Sequence, residues 1–132
     1  MFRLDGRVAV VTGGGRGIGE VFCRKFAESG ASVVAADFVE ENARKVAGEL
    51  QSAGHKALAV AVDVRKRDQN EAMVAKALEA FGRVDILVNN AGITRDALLM
   101  RMTDEQWEAV IQTNLTGVFL ATQAAIRPMI KA

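Results

Sequence analysis

Apolar positions along the chain switch period repeatedly, from short unbroken runs to helical spacing and back. Residues 7–12 (RVAVVT) are a nearly continuous β-branched run, as a parallel strand buried on both faces requires. Over 17–29 the residues Ile18, Val21, Phe22 and Phe26 fall on one helical face, and Gly30 stops that helix. Residues 31–37 (ASVVAAD) read as a second strand, and 39–53 as a helix ending at Gly54. A third strand over 56–62 (KALAVAV) and a helix over 68–81, ending at Gly82, follow. Residues 83–88 (RVDILV) give a fourth strand. Thr103-Asp104-Glu105-Gln106 has the form of an N-cap with its box partner, opening a helix through Trp107, Val110 and Ile111. A last helix is expected from about Thr113 or Asn114 onward.

Strands alternating with helices on short connections predict right-handed βαβ units, an α/β fold with a doubly wound parallel sheet and helices on both faces. Neither a linker nor an internal repeat interrupts the pattern. The 132 residues suffice for one domain with a real core, and a single domain over 1–132 is expected.

Composition narrows the function classes. The net charge is +1 and charges of both signs are interspersed, so no basic stripe for nucleic acid is present. One cysteine, Cys23, permits neither an internal disulfide nor a thiolate metal cluster, and no metal is expected. The start, MFRLDGR, lacks the regions of a signal peptide. The longest uncharged run, 109–126, contains Gln112, Asn114 and Gln123 and reads as too polar to span a membrane. A cytoplasmic protein without membrane partners is expected.

Five glycines in seven positions, 13–19, sit between the first strand and the first helix. Glycine in such density is entropically costly, so the bare backbone must be needed. A helix N-terminus offers unpaired N–H groups and positive dipole to a pyrophosphate, and side chains would block that approach. The spacing fits T-G-x-x-x-G-x-G, with Thr12, Gly13, Gly17 and Gly19, rather than G-x-G-x-x-G. Gly15, Arg16 and Ile18 complete the candidate phosphate loop. Asp37 closes the second strand 18 residues beyond Gly19, near the roughly 20-residue offset of a ribose-binding acid. Its carboxylate can accept both ribose hydroxyls and repel a 2′-phosphate, or it is a solvated strand-end aspartate. Arg16 pulls the other way, since it could pair with a 2′-phosphate. NAD(H) is therefore the favoured cofactor from Asp37, with NADP(H) open through Arg16. Asp63-Val64 closes the third strand, as an adenine acceptor or as a turn residue. Asn89, Asn90, Ala91 and Gly92 close the fourth, where small residues and amides can pack beneath a cofactor.

These residues together resemble the short-chain dehydrogenase/reductase family. TGGGRGIG, Asp37, Asp63-Val64, NNAG and the TNLTG of 113–117 occur in the family's order. GITRDALLMRMTDEQWEAVIQTNLTGVF, 92–119, looks most like bacterial 3-oxoacyl-[acyl-carrier-protein] reductases and acetoacetyl-CoA reductases. The resemblance implies a single, partial dinucleotide-binding Rossmann-like domain over 1–132, with strand order 3-2-1-4. It implies that Gly13, Gly17 and Gly19 form the phosphate loop, that Asp37 binds ribose and Asp63 adenine, and that Asn90, Ala91 and Gly92 support the cofactor. It also implies that Asn114 is the asparagine that holds a water in a proton relay.

The family's serine and Tyr-x-x-x-Lys pair are missing, and the sequence contains no tyrosine. The match covers roughly the first half of the family pattern, and 130–132 lie inside a helical pattern with no terminating glycine. The leading expectation is the amino-terminal, cofactor-binding part of an NAD(P)H-dependent reductase of 3-oxoacyl thioesters, inactive as this chain alone. The alternatives are a short-chain dehydrogenase for another alcohol or ketone, a non-catalytic nucleotide-binding half-fold, and an assembly element. Packing is expected for Leu98, Leu99 and Met100, core or interface for Trp107, and a surface loop for His55. An uncovered fourth strand and a final helix apolar nearly all round predict a homo-oligomer.

Overall fold

The computed structural model describes residues 3–132; Met1 and Phe2, at the head of the MFRLDGR stretch, lie outside the described residues. The elements in chain order are β1 (Val8–Thr12), α1 (Gly17–Glu28), β2 (Ser32–Asp37), α2 (Glu40–Ser52), β3 (Ala57–Ala61), α3 (Arg67–Phe81), β4 (Ile86–Val88), α4 (Asp104–Ile111) and α5 (Gly117–Lys131). All strand pairs are parallel, and the order is β3-β2-β1-β4, as the family resemblance implies. In register, Val10 of β1 lies between Val34 of β2 and Leu87 of β4.

Alternation along the strands feeds two cores. Val10, Val34, Ala36 and Val60 pack with Met73, Ala77, Ala121 and Ala125 from α3 and α5. Val11, Val33 and Ala35 pack on the other face with Cys23, Ala27, Val46 and Leu50 from α1 and α2. Every residue of β1 is buried, which accounts for its unbroken apolar run.

The face of α1 that meets the sheet is not the expected one. Gly19, Cys23 and Ala27 are buried, whereas Ile18 is 70% exposed, and Val21 and Phe22 are exposed too. The helix lies close to the sheet through its smallest side chains. Phe22 instead stacks on Phe26, with ring centroids 6.1 Å apart. Leu98, Leu99 and Met100 are also exposed rather than packed, Leu98 just before and the other two on a single 3₁₀ turn, Leu99–Arg101. Trp107 is exposed and belongs to no core among the described residues.

β4 is shorter than the pattern predicts. Just before Ile86, Asp85 is held to Val8 by backbone and side chain together: its N–H donates to the Val8 carbonyl at 2.9 Å, and its carboxylate accepts the Val8 amide at 2.8 Å and pairs with Arg83. The Thr103–Gln106 capping box is present, with Gln106 N–H donating to Thr103 Oγ1 at 3.1 Å. The final helix does not start afresh: α4 runs through a π turn, Gln112–Thr116, directly into α5. Joined in this way, Asp104–Lys131 is long and apolar enough, by length and composition, to cross a membrane, so the polar residues of 109–126 do not make the segment too polar to span, contrary to expectation. Its inward residues Leu120, Ala121 and Ala125 are buried, and α5 packs on α3.

Candidate functional site

The carboxyl ends of all four strands open into one cleft of about 490 Å³, between the β1–α1 loop and the segments that follow β2, β3 and β4. That is the size range of small-molecule sites. Its position outside the strand ends, where the order turns from β1 toward β4 rather than β2, is the ligand position of open α/β sheets.

The loop is shaped by what its glycines lack. Gly13 and Gly17 have φ of +64° and +59°, conformations that a side chain strains. A Cβ on Gly19 would stand 2.0 Å from the Gly13 carbonyl oxygen and 2.6 Å from Asn90 Nδ2. Arg16, the N-cap residue of α1, makes no side-chain cap. The first-turn amides of α1 thus remain free of a capping side chain and available to an anion.

The loop is fastened on three sides. Gly14 N–H donates to the Ala36 carbonyl at 2.9 Å, Gly15 N–H to Asp37 Oδ2 at 2.9 Å, and Asn90 Nδ2 to the Gly13 carbonyl at 3.2 Å. Beneath it, the buried Cys23 thiol faces the Gly14 carbonyl. Burial pushes that thiol up to about 12, so it stays protonated and inert at neutral pH.

Thr12 ties the first strand to the fourth. Its hydroxyl accepts the Asn90 and Ala91 amides, each at 3.1 Å, and donates to the Val88 carbonyl at 3.3 Å. Asn89 turns away and donates to Thr122 on α5. Asn114, within the π turn, holds the next stretch: its amide oxygen accepts the Ile93 N–H and its Nδ2 donates to the Ile93 carbonyl, both at 2.8 Å.

Asp63 lies in the cleft wall, with its carboxylate paired to the Arg65 guanidinium through contacts of 2.9 and 2.8 Å. Those hydrogen bonds hold its pKa below the ordinary carboxylate range, against the opposing effect of burial. Asp37 is only 8% exposed, and its second oxygen accepts the Val39 amide at 3.0 Å.

Among the residues singled out from sequence, Gly13, Arg16, Gly17, Asp37 and Asp63 line the cleft, as do Val64, Asn90, Ala91 and Gly92. Thr12, Gly15 and Gly19 stand behind that lining as supports, and Ile18 points out to solvent. Asn114 acts on the lining through Ile93, while its neighbour Thr113 reaches the cleft. Phe38, Ile93 and Arg95 also line it and were not anticipated. Phe38 adjoins Asp37 in sequence, and Ile93 and Arg95 lie at the start of the 92–119 stretch.

The arrangement fits a dinucleotide. Glycines leave a cradle that a Cβ would fill, free helix amides suit a pyrophosphate, and a buried carboxylate flanks the place where a ribose would follow.

Comparison with known proteins agrees with this geometry. The family profile described as short chain dehydrogenase matches residues 7–132. The chain is 46% identical over 129 residues to the 3-oxoacyl-[acyl-carrier-protein] reductase FabG of Thermotoga maritima, covering 98% of this chain and 52% of that protein. It is 44% identical over 125 residues to 3beta-hydroxysteroid dehydrogenase 2 of Eggerthella lenta, covering 94% of this chain and 48% of that one. A crystal structure of a short chain dehydrogenase/reductase from Burkholderia phymatum in complex with NAD superposes with a TM-score of 0.95 at 36% identity, over 99% of this chain and 47% of that chain. The chain thus spans about half the length of the curated relatives it matches. With the sheet order, the glycine loop and a profile match over nearly all its residues in agreement, the chain belongs to the short-chain dehydrogenase family.

Proposed function

We propose that this chain is the nucleotide-binding part of an NAD(P)H-dependent oxidoreductase that reduces a 3-oxoacyl thioester to the 3-hydroxyacyl thioester. The observation that carries the reading is the cleft itself, which gathers Gly13, Gly17, Asp37, Asp63 and the Asn90–Gly92 turn around one volume. The acyl-thioester substrate rests on the likeness to 3-oxoacyl-[acyl-carrier-protein] reductases of Thermotoga maritima and other bacteria. The Eggerthella lenta relative favours a second reading, in which the reduced group is another ketone.

In this reading the first-turn amides of α1 bind the pyrophosphate. Asp37 receives the adenosine ribose, and Asp63, steadied by Arg65, faces the adenine. Asn114 fixes Ile93 and thereby the floor of the nicotinamide side, and is the residue beside which the relay water would sit. A bound nicotinamide would supply hydride to the 3-keto carbon. Proton transfer to the carbonyl oxygen needs a general acid, which in the family resemblance is a tyrosine, and none is present in this sequence. The 132-residue chain on its own should therefore bind nucleotide without reducing acetoacetyl-CoA.

Titration calorimetry with both cofactors tests the reading. The near-buried carboxylate of Asp37 beside the ribose position disfavours a 2′-phosphate, so NAD(H) should bind more tightly than NADP(H), and Asp37→Ala should narrow the gap. Tighter NADP(H) binding by the unaltered chain would make the exposed Arg16 the dominant group instead. Failure of both to bind would remove the reading.

A further inference from the structure

Asp37 is placed as a ribose acceptor by its position at the end of β2, yet both of its oxygens are already engaged by this chain. Oδ2 accepts the Gly15 amide at 2.9 Å and Oδ1 accepts the Val39 amide at 3.0 Å. The first is the third residue of the glycine loop, 22 positions earlier in sequence. The second is the N-cap residue of α2. The carboxylate therefore bridges the loop to the start of α2.

The surroundings are built for that bridge. A Cβ on Gly15 would fall 2.6 Å from Asn42 Cβ and 2.8 Å from Asp37 Oδ2, so only glycine lets the loop settle against α2 and the carboxylate. The neighbouring Gly14 amide is taken by the Ala36 carbonyl. Successive loop amides are thus fixed by the last two residues of β2, one through backbone and one through side chain. Gly15 is buried, and an amide there without an acceptor would be costly. Hydrogen bonds to an ionised acceptor are about twice as strong as neutral ones.

We propose that Asp37 is a positioning residue for the phosphate loop, holding Gly15 and α2 together before any nucleotide arrives, in addition to the ribose contact. The inference rests on reading 13–19 as the phosphate-binding element. One consequence is that cofactor preference and loop geometry cannot be changed independently at this position. A replacement that makes room for a 2′-phosphate also releases the loop.

Amide hydrogen exchange followed by NMR on the nucleotide-free chain tests this, in Asp37→Ala and in Asp37→Asn. Asparagine keeps the shape and one acceptor oxygen, so it can hold only one of the two amides. In the alanine variant Gly15 and Val39 should exchange roughly 10-fold faster or more, with Val10 and Val34 in the core strands unchanged. In the asparagine variant one of the two should stay protected and the other should not. Unchanged exchange at Gly15 in the alanine variant would overturn the proposal. So would uniform acceleration across β1 and β2 in both variants, because Asp37 would then act on the whole fold and not on the loop. The measurement uses no nucleotide, so a failure of cofactor binding leaves it standing, and its own failure leaves the cofactor reading intact.

Discussion

Two glycines inside helices should respond to the same substitution with opposite sign. Gly19 lies in the first turn of α1 and Gly48 in the body of α2. A Cβ at Gly48 meets nothing within 4 Å, whereas at Gly19 it meets the Gly13 backbone at 2.0 Å. Replacing a helical glycine by alanine gains about 0.5–1 kcal/mol where space allows, because the unfolded chain loses freedom. Gly48→Ala should therefore stabilise by about that amount. At Gly19 the obstacle is backbone and cannot rotate away. Overpacking of this kind costs about 1–3 kcal/mol. Displacing the Asn90–Gly13 hydrogen bond adds about 1 kcal/mol. Set against the same helical gain, Gly19→Ala should lose about 1–3 kcal/mol. With a urea m-value of about 1–3 kcal/mol/M, the two midpoints should separate by roughly 1 M. Urea unfolding followed by far-UV circular dichroism reads this directly. Should Gly19→Ala unfold at or above the parent midpoint with an unchanged slope, the contact between loop and helix would not be as close as described.

Other outcomes follow from single contacts. Burial pushes the Asp85 carboxyl up, but hydrogen bonds from Arg83, the Val8 amide and Arg7, with the Arg83 charge, together hold it below its ordinary range. Between the lowered folded pKa and the unfolded value the unfolded chain binds more protons. The stabilisation is therefore complete above the unfolded value of 3.8 and fades as pH falls through the folded one. Asp85→Asn should cost about 1–3 kcal/mol at pH 7 and flatten the acid limb of a stability–pH curve; an unchanged limb would assign acid unfolding to other carboxylates. Asn114→Ala removes both bonds to Ile93, and the Ile93 amide should then exchange about 10-fold faster while the core amides of β1 keep their rates. Exposed Leu115 of the π turn and Phe119 and Ile126 of α5 line one apolar surface; a homo-oligomer should form through them. Light scattering over a dilution series should show Phe119→Lys dissociating it, and a compact monomer of the unaltered chain at micromolar concentration would contradict that.

Much of the sheet was legible because parallel strands buried on both faces leave unbroken apolar runs, as Val8–Val11 and Val33–Ala36 do. Helix ends were legible for a related reason: Gly30, Gly54 and Gly82 adopt positive φ. Facing was not. Periodicity located a stripe of Ile18, Val21, Phe22 and Phe26, of which only Phe26 packs against the core; α1 buries the stripe of Gly19, Cys23 and Ala27, since proximity to the sheet selects small residues over large apolar ones. Candidate site positions could be picked out by strand ends, but not the division of labour among them. Thr12 and Gly19 read as ligand contacts and stand as supports, because a hydroxyl or a missing Cβ serves either use. The charges from Arg65 to Asp68 read as a solvated turn, and the pairing of Arg65 with Asp63 was not legible because a turn carries no periodic signal.

The bond from Thr12 to Asn90 joins residues 78 apart, and it has a meaning for synthesis. Chains are made from the amino terminus at about 5–20 residues per second and fold as they emerge. A nascent chain that has delivered α3 already has β1, β2 and β3, the glycine loop and Asp37, in contacts that are short in sequence. The opposite wall of the cleft does not yet exist. Until β4 and its Asn90 turn reach β1, the Thr12 hydroxyl lacks its acceptor and donors there, and the Gly13 carbonyl lacks Asn90. Nucleotide can meet a loop during that interval but not a cleft, which makes the arrival of residue 90 the step that turns a folded half-sheet into a binding site.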